Sequence, residues 1–326
     1  MQRARIIGTG AFLPETVWSN EKLAAMIDTS DEWIRKRTGI GQRHLAGPGE
    51  GASDLAVPAV RQALDAAGLK AGELELIVCC TTTPDYLFPA TACIIQTALG
   101  ACNAAAFDVN AACSGFLYGL SSANAYILSG MYRTIAVVGA ESATNRLNWE
   151  RRDTSVLFGD GAGAVVLRAE EGERGILSTY LGADGSGADL LIRLAGGSKF
   201  PITKDNAGGP DCDVQMKGPE LFKRAAVLFE DASRKAIERA GLQLDDVDLF
   251  VPHQANARII KAAAARLGLP EEKVMLNIEK VANTTAASIP LALHEAAAAD
   301  RIREGGVVLL ASFGSGLTWG AAVVRW

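Results

Sequence analysis

Residues 63–80 read ALDAAGLKAGELELIVCC, and residues 236–253 read AIERAGLQLDDVDLFVPH. Both run from the end of an amphipathic, helix-like segment through an Ala-Gly stop and a short acidic loop into an apolar strand. Alanine, Ala-Gly-Leu, an acid, an aliphatic residue, a second acid, leucine and valine recur in register, roughly 170 residues apart. The register continues outward. TALG, closing at Gly100, answers ARLG, closing at Gly268, and TIAVVGA from Thr134 answers GVVLLAS from Gly306. Strand-like AAFDV followed by AACSGFLYGL answers strand-like VMLNI followed by VANTTAASIPLAL. An ordered series of matches argues against chance similarity between alanine-rich helices. The chain therefore reads as two duplicated α/β halves, residues 1–172 and 173–326, each with a buried sheet. Packed about a pseudo-twofold axis, such halves bring equivalent loops together. His253 falls at the position of Cys80 and Asn283 at that of Cys113, so Cys113, His253 and Asn283 are expected to converge.

Composition narrows the class. The 326 residues are 49% apolar and 21% charged, enough for a large core in a globular protein. A net charge of −5 gives no general attraction to nucleic acid or an anionic membrane. The apolar run near the start is broken by glycines and stopped at Pro14, a poor signal peptide, and no membrane-length apolar run follows. A cytoplasmic location is expected. The six cysteines, Cys79, Cys80, Cys93, Cys102, Cys113 and Cys212, form no CxxC pair or Cys/His spacing suited to zinc and are expected to be reduced, with no metal site.

Cys113 stands apart in DVNAACSGFL, between a strand and a helix-like run. Unpaired N–H groups and the positive dipole end of a helix stabilise thiolate, so a lowered pKa and nucleophilic reactivity are expected here. The bland alternative is a small core filler. His253 ends a strand on a polar loop, which suits catalysis better than core structure. Asn283 reads equally as a helix N-cap, except that its duplication partner is Cys113. GTGAFLP from Gly8 fails as a dinucleotide loop because Pro14 opposes the required helix. GDGAGA from Gly159 reads as a tight turn.

Dispersed motifs in order, IIGTGAFLPE, DTSDEWIRKRTGI, AFDVNAACSGF, FGDGAGA, VPHQANARII, ANTTAAS and FGSGLTWGAAVVRW, resemble the β-ketoacyl-acyl-carrier-protein synthase III family of thiolase-like condensing enzymes. The resemblance implies a thiolase-like fold layered α-β-α-β-α and a homodimer. It implies a Cys113-His253-Asn283 triad and an oxyanion hole from the backbone of Cys113 and Ser315. It further implies that Trp33, Arg37, Arg152, Met216, Gly218, Phe222 and Asn256 serve coenzyme A, with Trp33 and Arg152 sandwiching the adenine. Arg258 matches the family's carrier-docking arginine. Helical spacing groups Lys261 and Arg266 near Arg258, and Lys223 and Arg224 on the preceding helix could extend the patch. The implied reaction is decarboxylating Claisen condensation of an acyl-coenzyme A primer with malonyl-acyl-carrier protein, without metal or redox cofactor. Three positions depart from the pattern: Ala282 and Ser315 replace glycines, and Pro219 replaces an asparagine. Rival readings are a condensing enzyme of polyketide or quinolone-type metabolism, a silent acyl-binding scaffold and a thiol hydrolase.

Overall fold

A computed structural model describes residues 1–326. The first half runs β1 (Gln2–Phe12), β2 (Thr16–Ser19), α1 (Asn20–Ala24), α2 (Asp31–Thr38), β3 (Gln42–Leu45), α3 (Ala52–Ala67), β4 (Leu76–Cys80), α4 (Thr91–Leu99), β5 (Ala105–Val109), α5 (Gly115–Leu128), β6 (Thr134–Glu141), α6 (Arg152–Ser155) and β7 (Gly161–Glu171). The second runs β8 (Gly175–Ala183), β9 (Leu191–Arg193), β10 (Val214–Met216), α7 (Gly218–Arg239), β11 (Leu249–Pro252), α8 (Ala257–Leu267), α9 (Ile278–Val281), α10 (Ser288–Ala298), β12 (Val307–Gly314) and β13 (Thr318–Arg325).

The Ala-Gly stops are helix terminators. Gly68 after α3 and Gly241 beyond α7 hold φ of +66° and +69°, a conformation that glycine adopts without a Cβ penalty. The strands that follow, β4 and β11, are buried along their whole length and lie inside their sheets or against the body of the protein.

The first sheet has the order β1-β7-β6-β4-β5, with β4 parallel to β5 and β6, and β7 antiparallel to β6 and β1. The second has the order β11-β12-β13-β8, with β11 parallel to β12 and β13 antiparallel to both neighbours. Superposing β4 on β11 superposes β6 on β12, β7 on β13 and β1 on β8. The counterpart of β5 is missing. VMLNI, expected as a strand, keeps a single bridge between Val274 and Phe250. The Asn277 N–H is taken by Gln254 Oε1 at 3.1 Å, which draws the chain off the sheet and into α9.

Helices α3 and α4 cover the outer face of the first sheet through Leu55, Ala59, Val60 and Ile95. Helices α7 and α8 cover the second through Phe229, Ile260 and Ala263. Between the sheets lie α5 and α10, whose Phe116, Leu120, Ile289 and Leu293 pack with strand residues of both halves. Each such aliphatic or aromatic side chain contributes about 1.5–3 kcal/mol by leaving water. The layers are α-β-α-β-α, and the middle layer holds the two helices that follow Cys113 and Asn283. GDGAGA is mostly strand rather than turn, because Gly161 already opens β7. A Cβ at Gly163 would stand 2.5 Å from the Leu291 nitrogen, so the bare glycine lets α10 lie against β7.

Candidate active site

Cys113 sits in the sharp connection between β5 and α5. Ala112 before it has φ of +49°, which an L-residue holds at a cost and which turns the chain abruptly. The second half clamps this turn. Ser312 Oγ donates to the Cys113 carbonyl at 2.8 Å, Thr318 Oγ1 donates to the Ala111 carbonyl at 2.8 Å, and Ser114 Oγ donates to the Thr318 carbonyl at 3.1 Å. At Gly314 a Cβ would lie 2.7 Å from the Cys113 nitrogen, so only glycine permits this approach. No backbone carbonyl accepts the N–H of Cys113 or of Ser315, and both stay free for a ligand oxygen.

His253 follows β11, and its N–H donates to the Ala311 carbonyl at 2.8 Å. Its Nδ1 lies 2.5 Å from Ser288 Oγ at the start of α10. Ser288 Oγ also receives the Gln254 N–H at 3.4 Å, and its own proton has no other acceptor. The hydroxyl therefore donates to Nδ1, which leaves the ring proton on Nε2. Burial lowers the imidazole pKa to about 3, so His253 is a neutral donor near neutral pH.

Asn283 bridges to Phe158: its N–H donates to the Leu157 carbonyl at 2.9 Å, and its carbonyl accepts the Gly159 N–H at 3.1 Å. Its Oδ1 accepts the Thr285 N–H at 2.9 Å. The side chain therefore closes a local turn two residues long and is not a helix N-cap, since Thr284 precedes the short turn at 285–287 and Ala287 precedes α10; the bond commits the side-chain oxygen while leaving both amide protons. Ala282 before it has φ of +59°. The residue preceding each functional side chain, Ala112 or Ala282, is an alanine at positive φ, an echo of the duplication.

Cys113, His253 and Asn283 line one cavity of about 540 Å³, together with Phe313 and Gly314. The three are buried, while Arg37 and Arg152 at the other end are exposed. Cys113 also lines a second cavity of about 360 Å³, with Ser315, Phe158, Thr82, Arg146 and Arg193. The nucleophile stands where the two spaces meet.

One electrostatic expectation is overturned. The Cys113 thiol is pushed up to about 12, not lowered, by burial first and by the charge of Glu141 second, with its own N–H opposing. Desolvation of a thiolate in this site outweighs the helix terminus, which begins only at Gly115. At rest the site holds a neutral thiol and a neutral imidazole. Cys93 and Cys102, which are exposed, are the more accessible thiols for a general reagent.

The sequence signature of 3-oxoacyl-[acyl-carrier-protein] synthase III matches residues 107–185, and that of its C-terminal part matches residues 237–326. The β-ketoacyl-[acyl-carrier-protein] synthase III of Caldanaerobacter subterraneus subsp. tengcongensis is 48% identical over 99% of this chain and 98% of its own length. The chain belongs to the β-ketoacyl-acyl-carrier-protein synthase III family. Among solved structures, the 3-oxoacyl-[acyl-carrier-protein] synthase III of Aquifex aeolicus matches with a TM-score of 0.92 at 45% identity, over 99% of this chain and 100% of that one. The priming β-ketosynthase of the R1128 polyketide pathway matches with a TM-score of 0.92 at 36% identity, over 98% and 95%. The thiolase-like fold expected from the sequence is the fold observed.

For a synthase III, the surroundings of the larger cavity are informative. Trp33, Arg37, Arg152, Met216, Gly218, Phe222 and Asn256 all line it. The guanidinium carbons of Arg37 and Arg152 lie 4.7 and 4.8 Å from the Trp33 ring centre. A base between Trp33 and Arg152 needs two stacking distances of about 3.5–4 Å each, so Arg152 must swing outward to admit one. Its tether is an exposed contact with Asp28, easily broken. Asn256 caps α8 by accepting the Arg258 N–H at 2.9 Å and donates to the Arg37 carbonyl at 3.1 Å. Pro219 opens α7 at the cavity wall, where proline suits the first helical turn.

The basic groups separate. Arg258, stacked over Phe222 at 5.5 Å, and Lys223 line the cavity. Lys261 pairs with Glu271, Arg266 with Glu230 and Arg224 with Asp184, and none of these three lines that cavity. Sequence reading missed Ser288, Ser312 and Thr318, polar positions in otherwise apolar segments whose partners lie in distant parts of the chain. It also missed Arg146 and Arg193.

Proposed function

We propose that the protein condenses an acyl-coenzyme A primer with malonyl-acyl-carrier protein, giving a β-ketoacyl-acyl-carrier protein, carbon dioxide and coenzyme A, the initiating step of fatty-acid synthesis. The observation that carries this reading is the position of Cys113 between two cavities, with His253 and Asn283 lining the larger.

The resting thiol is neutral, so its proton leaves as the primer's thioester arrives. Cys113 Sγ bonds to the acyl carbon as its own proton passes, directly or through a water, to the departing coenzyme A sulfur. The acyl oxygen is held by the N–H groups of Cys113 and Ser315. The malonyl group then enters beside His253 and Asn283. Its C–C bond to the carboxylate breaks, carbon dioxide leaves, and the electron pair becomes an enolate. Nε2–H of His253 and the amide of Asn283 are neutral donors suited to that oxygen. The enolate carbon attacks the acyl carbon, and the Cys113 sulfur leaves and takes a proton from solvent, the one proton that the overall reaction consumes.

Every bond is accounted for without metal or redox cofactor; coenzyme A enters only as the primer's thioester. We place the enzyme in the cytoplasm as a homodimer. The exposed run Tyr86, Leu87 and Phe88, at 63%, 86% and 85% exposure, supports a further protein contact. No helix is long and apolar enough to cross a membrane. Residues at the cavity's exposed end, Trp33 and Arg152, would hold the adenine, and Arg258 would meet the acidic carrier.

The test separates the half-reactions. His253→Ala and Asn283→Ala should still form acyl-Cys113 from acyl-coenzyme A, seen as an intact-mass shift. Each should release carbon dioxide from malonyl-carrier at least about 10²-fold more slowly, the usual effect of losing one such donor. Decarboxylation at the wild-type rate in both variants would overturn the assigned roles.

A further inference from the structure

The smaller cavity beside Cys113 is lined largely by apolar surface, but two arginines stand in its wall. Its walls include Phe158, Leu147 and Ile192, but also the side chains of Arg146 and Arg193. Neither guanidinium meets a carboxylate. Arg146 donates to the Pro84 carbonyl at 3.1 Å, and Arg193 Nε donates to the Cys212 carbonyl at 2.6 Å. Nearby acids are engaged elsewhere. Asp213 and Asp153 pair with Arg151. Glu141, the nearest buried carboxyl, receives the Thr82 N–H and the hydroxyls of Thr82 and Thr83.

The two like charges also act on each other. Arg146 is exposed along part of its side chain, but desolvation where it packs lowers its pKa, and the charge of Arg193 lowers it further, with Glu141 opposing. A guanidinium stays charged under ordinary conditions, so this strain is relieved by bringing in an anion. Each arginine spends one donor on a backbone carbonyl and keeps others in a planar fork that matches a carboxylate.

We infer that the acyl group accepted by Cys113 carries a terminal carboxylate, held between Arg146 and Arg193, so that the primer is a short dicarboxylic acid monothioester of coenzyme A. The inference rests on the reading that Cys113 takes the primer's acyl group. The step is a thioester exchange: the S–C bond to Cys113 forms, the S–C bond to coenzyme A breaks, and the thiol proton ends on coenzyme A. The distal carboxylate takes no part in bond making and only selects the substrate. A neutral chain of equal length would displace water from both guanidiniums without replacing its hydrogen bonds, a loss that contact with the apolar part of the lining offsets only in part.

The measurement is the rate of Cys113 acylation by intact mass on the full-length protein. Succinyl-coenzyme A is compared with butyryl-coenzyme A, and glutaryl- with pentanoyl-coenzyme A. The expected result is a preference of about 10–100-fold for the acid of at least one pair, the effect of one charge-assisted hydrogen bond or more. Arg146→Leu and Arg193→Leu should each bring that ratio toward unity. Should a variant fail to fold, the wild-type ratio decides alone. Equal or faster acylation by both neutral primers overturns the inference and leaves the acyl-enzyme reading standing. No label from any of the four overturns the acyl-enzyme reading, and this inference with it.

Discussion

Ala282 is fully buried with φ of +59° and ψ of −159°, a region open to glycine and costly to alanine. Its strain sits one residue before Asn283, whose amide direction depends on that turn. Ala282→Gly should relieve it. Strain of about 1–3 kcal/mol, less about 0.5–1 kcal/mol for the greater freedom of unfolded glycine, predicts a net gain of about 1 kcal/mol. The urea midpoint should rise without a change in slope; an unchanged or lower midpoint would show that packing around the methyl matters more than the backbone. At this scale the sequence was legible in kind and misleading in degree. The duplication singled out Cys113, His253 and Asn283. It could not reveal depth, and depth sets the protonation of Cys113. Neighbours along the chain pointed to a helix terminus, while the burial that pushes the thiol to about 12 comes from Phe158, Gly314 and other residues far away in sequence.

Among elements, α8 shows how a helix sorts its charges. Arg258 opens it on the cavity side, over Phe222, while Lys261 one turn later pairs with Glu271 on the exposed surface. Spacing alone had grouped them, because sequence does not show which carboxylates a neighbouring loop brings. Arg258→Glu should slow the use of malonyl-carrier about tenfold or more at low salt while largely sparing acylation of Cys113 by acyl-coenzyme A. Lys261→Glu, which breaks an exposed pair worth little, should have a much smaller effect. Matched losses in the two variants would return the docking surface to the whole helix, and equal loss of both half-reactions in Arg258→Glu would remove Arg258 from docking altogether. The failed strand at VMLNI teaches a related lesson. Its apolar pattern suited a sheet, but Gln254 claims the Asn277 N–H, and the chain turns to pack Ile278 beside Ile34 and Leu23.

For the whole molecule, the shared succession of strands and helices in the two halves could be read from matched segments, while the α-β-α-β-α layering came from the family resemblance and the strand order within each sheet from the structure alone. The smaller cavity could not be read from those segments. Arg146 lies in the loop after β6, and Arg193 in the short β9, both outside the stretches whose sequences match between the halves, so no internal comparison marks them. The larger cavity has a kinetic consequence. Its outer end at Trp33 and its buried end at Cys113, His253 and Asn283 belong to one space. In the proposed reaction the thiol-bearing arm of coenzyme A and the equivalent arm of the carrier would both use it, and so would occupy it in turn. Initial rates measured against both substrates should give parallel double-reciprocal lines, and free coenzyme A should compete with malonyl-carrier for the acylated enzyme. Intersecting lines would mean that both arms fit at once. With only one arm admitted at a time, the covalent bond to Cys113 serves as the enzyme's memory of its first substrate while it exchanges one visitor for the next.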